Sequence, residues 1–516
     1  MKRPIHFLFF LLFLISCTSK KAIVDNPNDD GLIEIVFLHV NDVYEIAPLP
    51  GDDKGGMARV ATLKKQLLAK NKNTLAILPG DFVSPSVIGT LKDENGNRIK
   101  GAHMVDVMNV AGIDIVTFGN HEFDLGEEDL QKRIDESEFQ WVSSNVLQNK
   151  KRKVKPFYKN KNEKRSKKEK IPETIIQTFT DEDGTSVTVG FFGVTLDVKQ
   201  QNYLTYEDPI QRSKAMVKEL DSKVDLIFPI THLEIEEDLK LAKAIPRFPL
   251  VMGGHDHNNM RFLVGSTVVA KADANAKTAF VHTVKYDTKE KTYTVYSELV
   301  HLDNSYALDP IVDQRVKYWT EIAEKDMEKQ GFSANEVVTV LENPLDGTES
   351  TVRSGQCPMG IMVVESIAFA CDNKIDAAIL NSGSIRIDDM LSGNMTQYDI
   401  IRILPYSGEI IEVEMTGILL KKLLESSIQN KGEGAYLQLT GIEADEESLT
   451  FKIGGELLKT NRNYLIAMNA FLLEGYDFKF FTKENEGIIN VIEPEENDLL
   501  KKDLRKAMIE FLKNKK

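Results

Sequence analysis

The sequence predicts a layered α/β protein of two domains. Three observations carry that reading. The chain has 516 residues, too many for one hydrophobic core. Strand-like and helix-like runs alternate from Ile33 to about Val300, the pattern of a layered α/β domain. A second α/β pattern begins at Glu336, beyond a charged helical stretch with no strong turn signal inside it. The apolar fraction of 42% and charged fraction of 28% are those of a soluble globular protein.

The N-terminus reads as an export signal. Lys2 and Arg3 precede a short apolar run that ends at Leu14-Ile15-Ser16-Cys17. The run falls short of the ~20 residues that a membrane span needs. Its end resembles the bacterial lipoprotein processing box, in which Cys17 would be lipid-modified and become the mature N-terminus. The alternative is an ordinary cleaved signal with Cys17 incidental. This gives a signal at 1–17, a tether at 18–31, a first domain at 32–302, a linker helix at 303–335 and a second domain at 336–516.

Ile33 to Leu38 reads as a strand, Ala58 to Lys70 as a helix and Leu75 to Leu78 as a strand. Ile113 to Phe118, Val187 to Val194 and Leu226 to Ile230 continue the strand series. Lys150 to Lys170 is heavily basic, which reads as a solvated loop, with electrostatic contact to an anionic lipid or polymer as the other reading. Pro310 to Lys329 reads as the interdomain helix. In the second domain Ala377 to Leu380 and Tyr464 to Met468 are strand-like, and Gly417 to Gln429 is helix-like.

Export permits disulfides, yet only Cys357 and Cys371 remain. The residues between them read as one helix. At ~1.5 Å per residue the two lie ~21 Å apart, beyond the ~7 Å that a bridge can span. They are read as buried packing thiols. The net charge of -15 argues against a general nucleic-acid binder. A small phosphorylated substrate stays open, because bound metal charge can invert the field at a site.

Hydrolytic divalent cations use carboxylate, imidazole and amide ligands on rigid supports. The first domain offers such groups in five places, each after an apolar run. They are Asp42, Gly80-Asp81, Gly119-Asn120-His121-Glu122-Phe123-Asp124, Thr231-His232 and Gly253-Gly254-His255-Asp256-His257. Any one of them reads equally as a surface polar group or a cap. Together, at successive strand ends, they read as one site.

This pattern resembles the calcineurin-like metallophosphoesterases, and within them the secreted 5'-nucleotidase family. Leu38-His39-Val40-Asn41-Asp42, Gly55-Gly56-Met57-Ala58-Arg59 and Leu78-Pro79-Gly80-Asp81 resemble its first three blocks, and the histidine-bearing clusters complete the set. The resemblance covers nearly the whole mature chain. It implies a mixed β-sandwich flanked by helices, then a smaller α/β substrate-binding domain. It also implies two divalent ions, with Zn, Mn, Co and Mg all open. Asp81 would bridge them, Asp42 and His257 would help hold one, and Asn120, His232 and His255 the other. His121 would act on the phosphoryl group or the leaving oxygen, oriented by Asp124. Glu122 is read as structural. The family's Asp-x-His reads Asp42-Val43-Tyr44 here. Tyr44 could ligate as phenolate, a water could take its place, or one metal could be weakly held, with altered preference or lost activity.

Asn381-Ser382-Gly383-Ser384-Ile385-Arg386 resembles the family's substrate loop. By that resemblance Asn381 would bond a base and Arg386 an anionic group. Tyr406 and Phe471 would clamp the base, the alternative being plain core packing. Asp477 would bind ribose. Arg353 falls where relatives carry an arginine near the substrate, and also reads as an ordinary surface arginine. Gly355 and Gln356 replace an arginine and an acid of some relatives, and Tyr476 replaces a glycine. The implied function is an exported, lipid-anchored phosphohydrolase acting on nucleotides. Two alternatives stand beside it. One is a phosphoesterase for a cyclic nucleotide, nucleotide-sugar or sugar phosphate. The other is a nucleotide-binding surface lipoprotein with impaired catalysis.

Overall fold

A computed structural model describes residues 30–150, 153–160, 168–197 and 201–515. The signal, Cys17 and nearly all of the tether lie outside them. Among the described residues no helix is long and apolar enough to cross a membrane.

The first domain is built on two facing sheets of six strands each. One runs Thr292–His301, Thr278–Asp287, Leu32–His39, Thr74–Leu78, Ile115–Val116, Gln140–Trp141 from edge to edge. The other runs Met260–Val264, Thr267–Lys271, Leu250–Gly253, Leu226–His232, Ser186–Thr195, Thr174–Thr180. Leu32–His39 pairs parallel to Thr74–Leu78 and antiparallel to Thr278–Asp287, so the sheet is mixed. Strands such as Leu226–His232 are buried along their whole length, which is why they read as unbroken apolar runs. Phe37 and Phe228 meet between the sheets with ring centroids 4.9 Å apart. Helices Met57–Lys70 and Ala102–Ala111 cover one outer face, and Pro209–Leu220 and Ile235–Ala244 the other.

Two expectations change. Ile113 to Phe118 pairs as a strand only at Ile115–Val116. The Asp114 carboxylate takes the Ala76 amide and the Lys64 ammonium, each at 2.7 Å, and the Phe118 carbonyl accepts the Thr195 hydroxyl. The basic segment is not an open loop where it is described. Lys153–Lys155 pairs with Val146–Lys150, and Lys168–Lys170 with Tyr158–Asn160. Lys168 Nζ lies 3.9 Å over the Tyr158 ring, and such lysines keep an edge strand from recruiting another chain. Residues 151–152 and 161–167 of that segment lie outside the described residues.

Helix Pro310–Lys329 joins the domains. Asp309 caps it by accepting the Ile311 and Val312 amides, with proline in its first turn. Val312, Val316, Ile322, Ala323 and Met327 form its buried face. Trp319 Nε1 donates to Asp106 of helix Ala102–Ala111 at 2.7 Å, which fastens the linker to the first domain.

The second domain centres on a five-stranded sheet, Leu437–Thr440, Ala377–Asn381, Asn463–Asn469, Ile410–Thr416, Ile488–Ile492. Helices Pro358–Ala370 and Leu504–Asn514 pack on one face, and Gly417–Gln429 on the other. Cys357 and Cys371 are free and buried at opposite ends of Pro358–Ala370.

Candidate active site

The first-domain candidates meet at the ends of central strands of both sheets, where turns aim side chains rather than bury them. Asp42, Asp81 and His255 have φ of 52°, 56° and 79°. Such left-handed values cost a non-glycine residue about 1–3 kcal/mol and persist only where the surroundings over-determine them. Glycine makes the crowding tolerable: a Cβ on Gly119 would stand 2.0 Å from Asp81 Oδ1.

Asp81 Oδ2 lies 3.1 Å from His232 Nε2, which is itself 3.0 Å from Asn120 Oδ1. His232 Nδ1 donates to the Pro79 carbonyl at 2.7 Å, which leaves Nε2 as the nitrogen facing the cluster. His257 repeats the device: Nδ1 donates to the Asp388 carbonyl at 2.8 Å, and Nε2 points back to Asp42 Oδ1 at 3.7 Å. Asp81, His232 and His255 each place one ligand atom within 4.8 Å of the others. His255 also meets Glu234, with Nε2 3.1 Å from Oε1.

The charges fit a divalent cation. Burial raises Asp81, but His232 and His121 outweigh it and hold the carboxyl well below its usual range. Burial lowers His232, but Asp81 outweighs it and pushes the imidazole up to about 9. Burial also lowers His257, and Asp388 and Asp42 raise it on balance. The buried carboxylates therefore draw protons onto neighbouring imidazoles. A divalent cation supplies the same countercharge to the same oxygen and nitrogen donors.

Tyr44 is buried among these groups. Its hydroxyl lies 3.1 Å from Asp81 Oδ2, 3.4 Å from Asp42 Oδ1 and 3.0 Å from His257 Nε2. Burial first, and Asp81 next, push the phenol well above its ordinary value, so it stands as a neutral donor.

His121 faces the same cluster. Its Nδ1 lies 2.8 Å from Asp124 Oδ2, and its backbone amide donates to Asp81 Oδ1 at 2.7 Å. Glu122 turns away from the cleft. Its carboxylate accepts the amides of Asp81, Phe82 and Gly119 at 2.9, 2.8 and 2.5 Å. It ties the Asp81 and Asn120 loops together. Burial first, then Asp81, raise its carboxyl to about 7.

The second-domain candidates gather across the cleft but pair with one another. Arg353 binds Glu349, and Arg386 Nη1 lies 3.8 Å from the same carboxylate. Asn381 Oδ1 accepts the Ser384 hydroxyl at 2.6 Å. Among the described residues, three buried atoms here have no hydrogen-bond partner: Arg353 Nε, Arg386 Nε and Asp477 Oδ2. Such orphans call for an explanation, and an absent ligand is one. Tyr406 and Phe471 are 57% and 44% exposed, so neither ring is core packing. Phe471 stacks on Tyr476 with centroids 5.6 Å apart at 18°, and Arg386 lies 5.9 Å over Tyr406. Gln356 bonds Leu437 and Leu439 of the neighbouring strand at 2.8 Å each, so it holds the sheet edge.

Asp388 was not singled out in the sequence. It enters the first-domain cluster from the second domain, with Oδ2 3.8 Å from His121 Nε2 and 3.7 Å from His257 Nε2. The acidic pair after Arg386 was the only sequence signal for it.

Residues 35–259 match the calcineurin-like phosphoesterase family and residues 337–483 the 5'-nucleotidase C-terminal domain. The chain is 26% identical over 513 residues to a trifunctional nucleotide phosphoesterase of Bacillus subtilis, covering 90% of this chain and 33% of that protein. It thus spans about a third of that relative. It is also 26% identical over 462 residues to the 5'-nucleotidase of Bos taurus, covering 79% of this chain and 75% of that one. The solved 5'-nucleotidase precursor of Thermus thermophilus shares the fold at a TM-score of 0.65 and 20% identity, covering 93% of this chain and 96% of that one. The chain belongs to the 5'-nucleotidase family of metal-dependent phosphoesterases, in which a calcineurin-like domain precedes a 5'-nucleotidase C-terminal domain.

Proposed function

We propose that this protein is an exported, lipid-anchored phosphohydrolase that releases phosphate from nucleotides with two divalent cations. The observation that carries the reading is the convergence of Asp42, Asp81, Asn120, His232 and His257 on one cleft that His121 also faces. Asp42 and His257 would hold one ion, Asn120, His232 and His255 the other, and Asp81 both. When bound, the ions neutralise phosphoryl oxygens and acidify an attacking water.

The chain's own groups do the rest. Asp124 fixes the His121 ring through Nδ1, leaving Nε2 to donate to a phosphoryl or leaving oxygen. The Glu122 carboxylate holds the Asp81 and Asn120 loops in register. Arg386 and Arg353 would exchange Glu349 for an anionic group of the substrate, and Asp477 would accept a ribose hydroxyl. Exposed Tyr406 and Phe471 offer faces to a base. Cys17 would carry the lipid. The second domain would bind the nucleoside and rotate to bring the ester to the metals. Scattering curves that stay identical with and without a nucleotide analogue would count against that rotation.

The test is phosphate release from a nucleotide panel supplemented with Mn, Zn or Co, with His121→Ala as the blank. Little activity on nucleoside monophosphates would sink the first reading and favour another phosphoester. Neutral, buried Tyr44 favours a further reading, a nucleotide-binding protein with impaired catalysis. An inert wild type that gains nothing from Tyr44→His would support it.

A further inference from the structure

The loop that follows Arg386 crosses the domain boundary and ends against His257. Asp388 makes three contacts there. Its backbone carbonyl accepts His257 Nδ1 at 2.8 Å. One carboxylate oxygen, Oδ1, accepts the Glu349 amide at 2.7 Å. The other, Oδ2, stands 3.7 Å from His257 Nε2 and 3.8 Å from His121 Nε2. The side chain is only 15% exposed, and its backbone is left-handed at φ 43°. A buried carboxylate on a strained backbone, aimed at two imidazole nitrogens, is more than a packing residue requires.

The neighbourhood also lacks something. Tyr44 brings a hydroxyl to within 3.0 Å of His257 Nε2, at the position where the family's Asp-x-His has an imidazole. The half of the site held by Asp42 and His257 is therefore one good donor short in its own domain. The second domain stands ready to make this up. Glu45 accepts the Tyr398 hydroxyl across the boundary at 2.7 Å, and Arg402 holds Asp389, next to Asp388, at 2.8 Å.

We propose that Asp388 is a metal ligand donated across the domain boundary in place of the imidazole that Tyr44 replaces. Cation binding and domain docking are then a single event: the cation draws the second domain down, and the docked domain retains the cation. This rests on reading the cluster as a divalent-metal site, and the test separates the two.

Full-length wild type, Asp388→Asn, Tyr44→His and the double variant are titrated with Mn²⁺ alone by calorimetry. The isosteric Asp388→Asn change removes the charge and keeps the shape. Outer partners of metal ligands are typically worth about tenfold or more in affinity, so at least that loss is expected for one of the bound ions. In the Tyr44→His background the same change costs less than in wild type, because an imidazole then fills the position. Small-angle scattering should show the wild type closing on Mn²⁺ addition and Asp388→Asn failing to. Equal affinities in wild type and Asp388→Asn overturn the proposal, as does an identical loss in both backgrounds. So does tighter inorganic phosphate binding by Asp388→Asn with Mn²⁺ affinity unchanged, which makes the carboxylate an occupant of the phosphate position. A wild type that binds no Mn²⁺ overturns the metal-site reading along with it.

Discussion

The two halves of the cleft are built differently. The first-domain half is over-determined: His232 is fixed by the Pro79 carbonyl, Asp42 and Asp81 accept backbone amides, and three donors sit on left-handed backbone. The second-domain half is provisional. Its arginines share Glu349, three buried polar atoms have no hydrogen-bond partner among the described residues, and its aromatic rings are exposed. A site that polarises phosphorus needs donors at fixed distances, whereas one that receives a variable nucleoside can exchange internal partners for the ligand's. Chemistry is thus written more rigidly into this protein than substrate choice.

The largest effect should come from the rigid half. His121→Ala should lower phosphate release about 10²–10⁴-fold while Mn²⁺ binding persists, and a wild-type rate would break the comparison. Glu122→Gln should follow. Its amide can serve only some of the backbone donors, and each buried donor left bare costs about 1–3 kcal/mol. A denaturant melt and metal retention after dialysis should both fall, and unchanged values would mean the loops hold themselves.

The provisional half should respond through KM. Phe471→Ala removes a stacking face worth about 1–3 kcal/mol, so KM for a nucleotide should rise while a small aryl phosphate is unaffected. Equal effects on both substrates would show the ring to be structural. The mildest test is pH. Burial lowers His39 to about 4 and His103 to about 3, so the fold keeps both neutral. Above their unfolded pKa of about 6.5 neither state binds the proton, and stability is complete. Below it the unfolded chain takes up protons that the fold refuses, so each histidine costs up to about 1.4 kcal/mol per pH unit down to its folded value. Urea midpoints should fall between pH 6.5 and 4, more gently in His103→Asn.

Much of the rigid half was legible in the sequence because its donors come in contiguous clusters at the ends of apolar runs. Asn120, His121 and Asp124 need only local turns to face one way. Asp388 was not legible, because its partner His257 is 131 residues distant and the contact depends on how two domains dock. Gln356 and Tyr476 show in the sequence only as departures from the family pattern. One is spent on the strand Leu437–Thr440 and the other on the Phe471 ring. Family departures at those positions say that something changed, but only packing says what replaced it.

The helix Pro310–Lys329 has a mechanical consequence. Its buried face and Trp319 are committed to the first domain, and Lys92 donates to Asp326 near its far end at 3.1 Å. It is a rigid strut of that domain rather than an axle between the two. Gly331 follows at φ 83°, and Phe332 beyond it lies under Arg505 of the second domain at 4.6 Å. Any swing of the second domain would therefore pivot at Gln330 and Gly331, and a side chain introduced at Gly331, whose left-handed φ suits only glycine, should strain that joint.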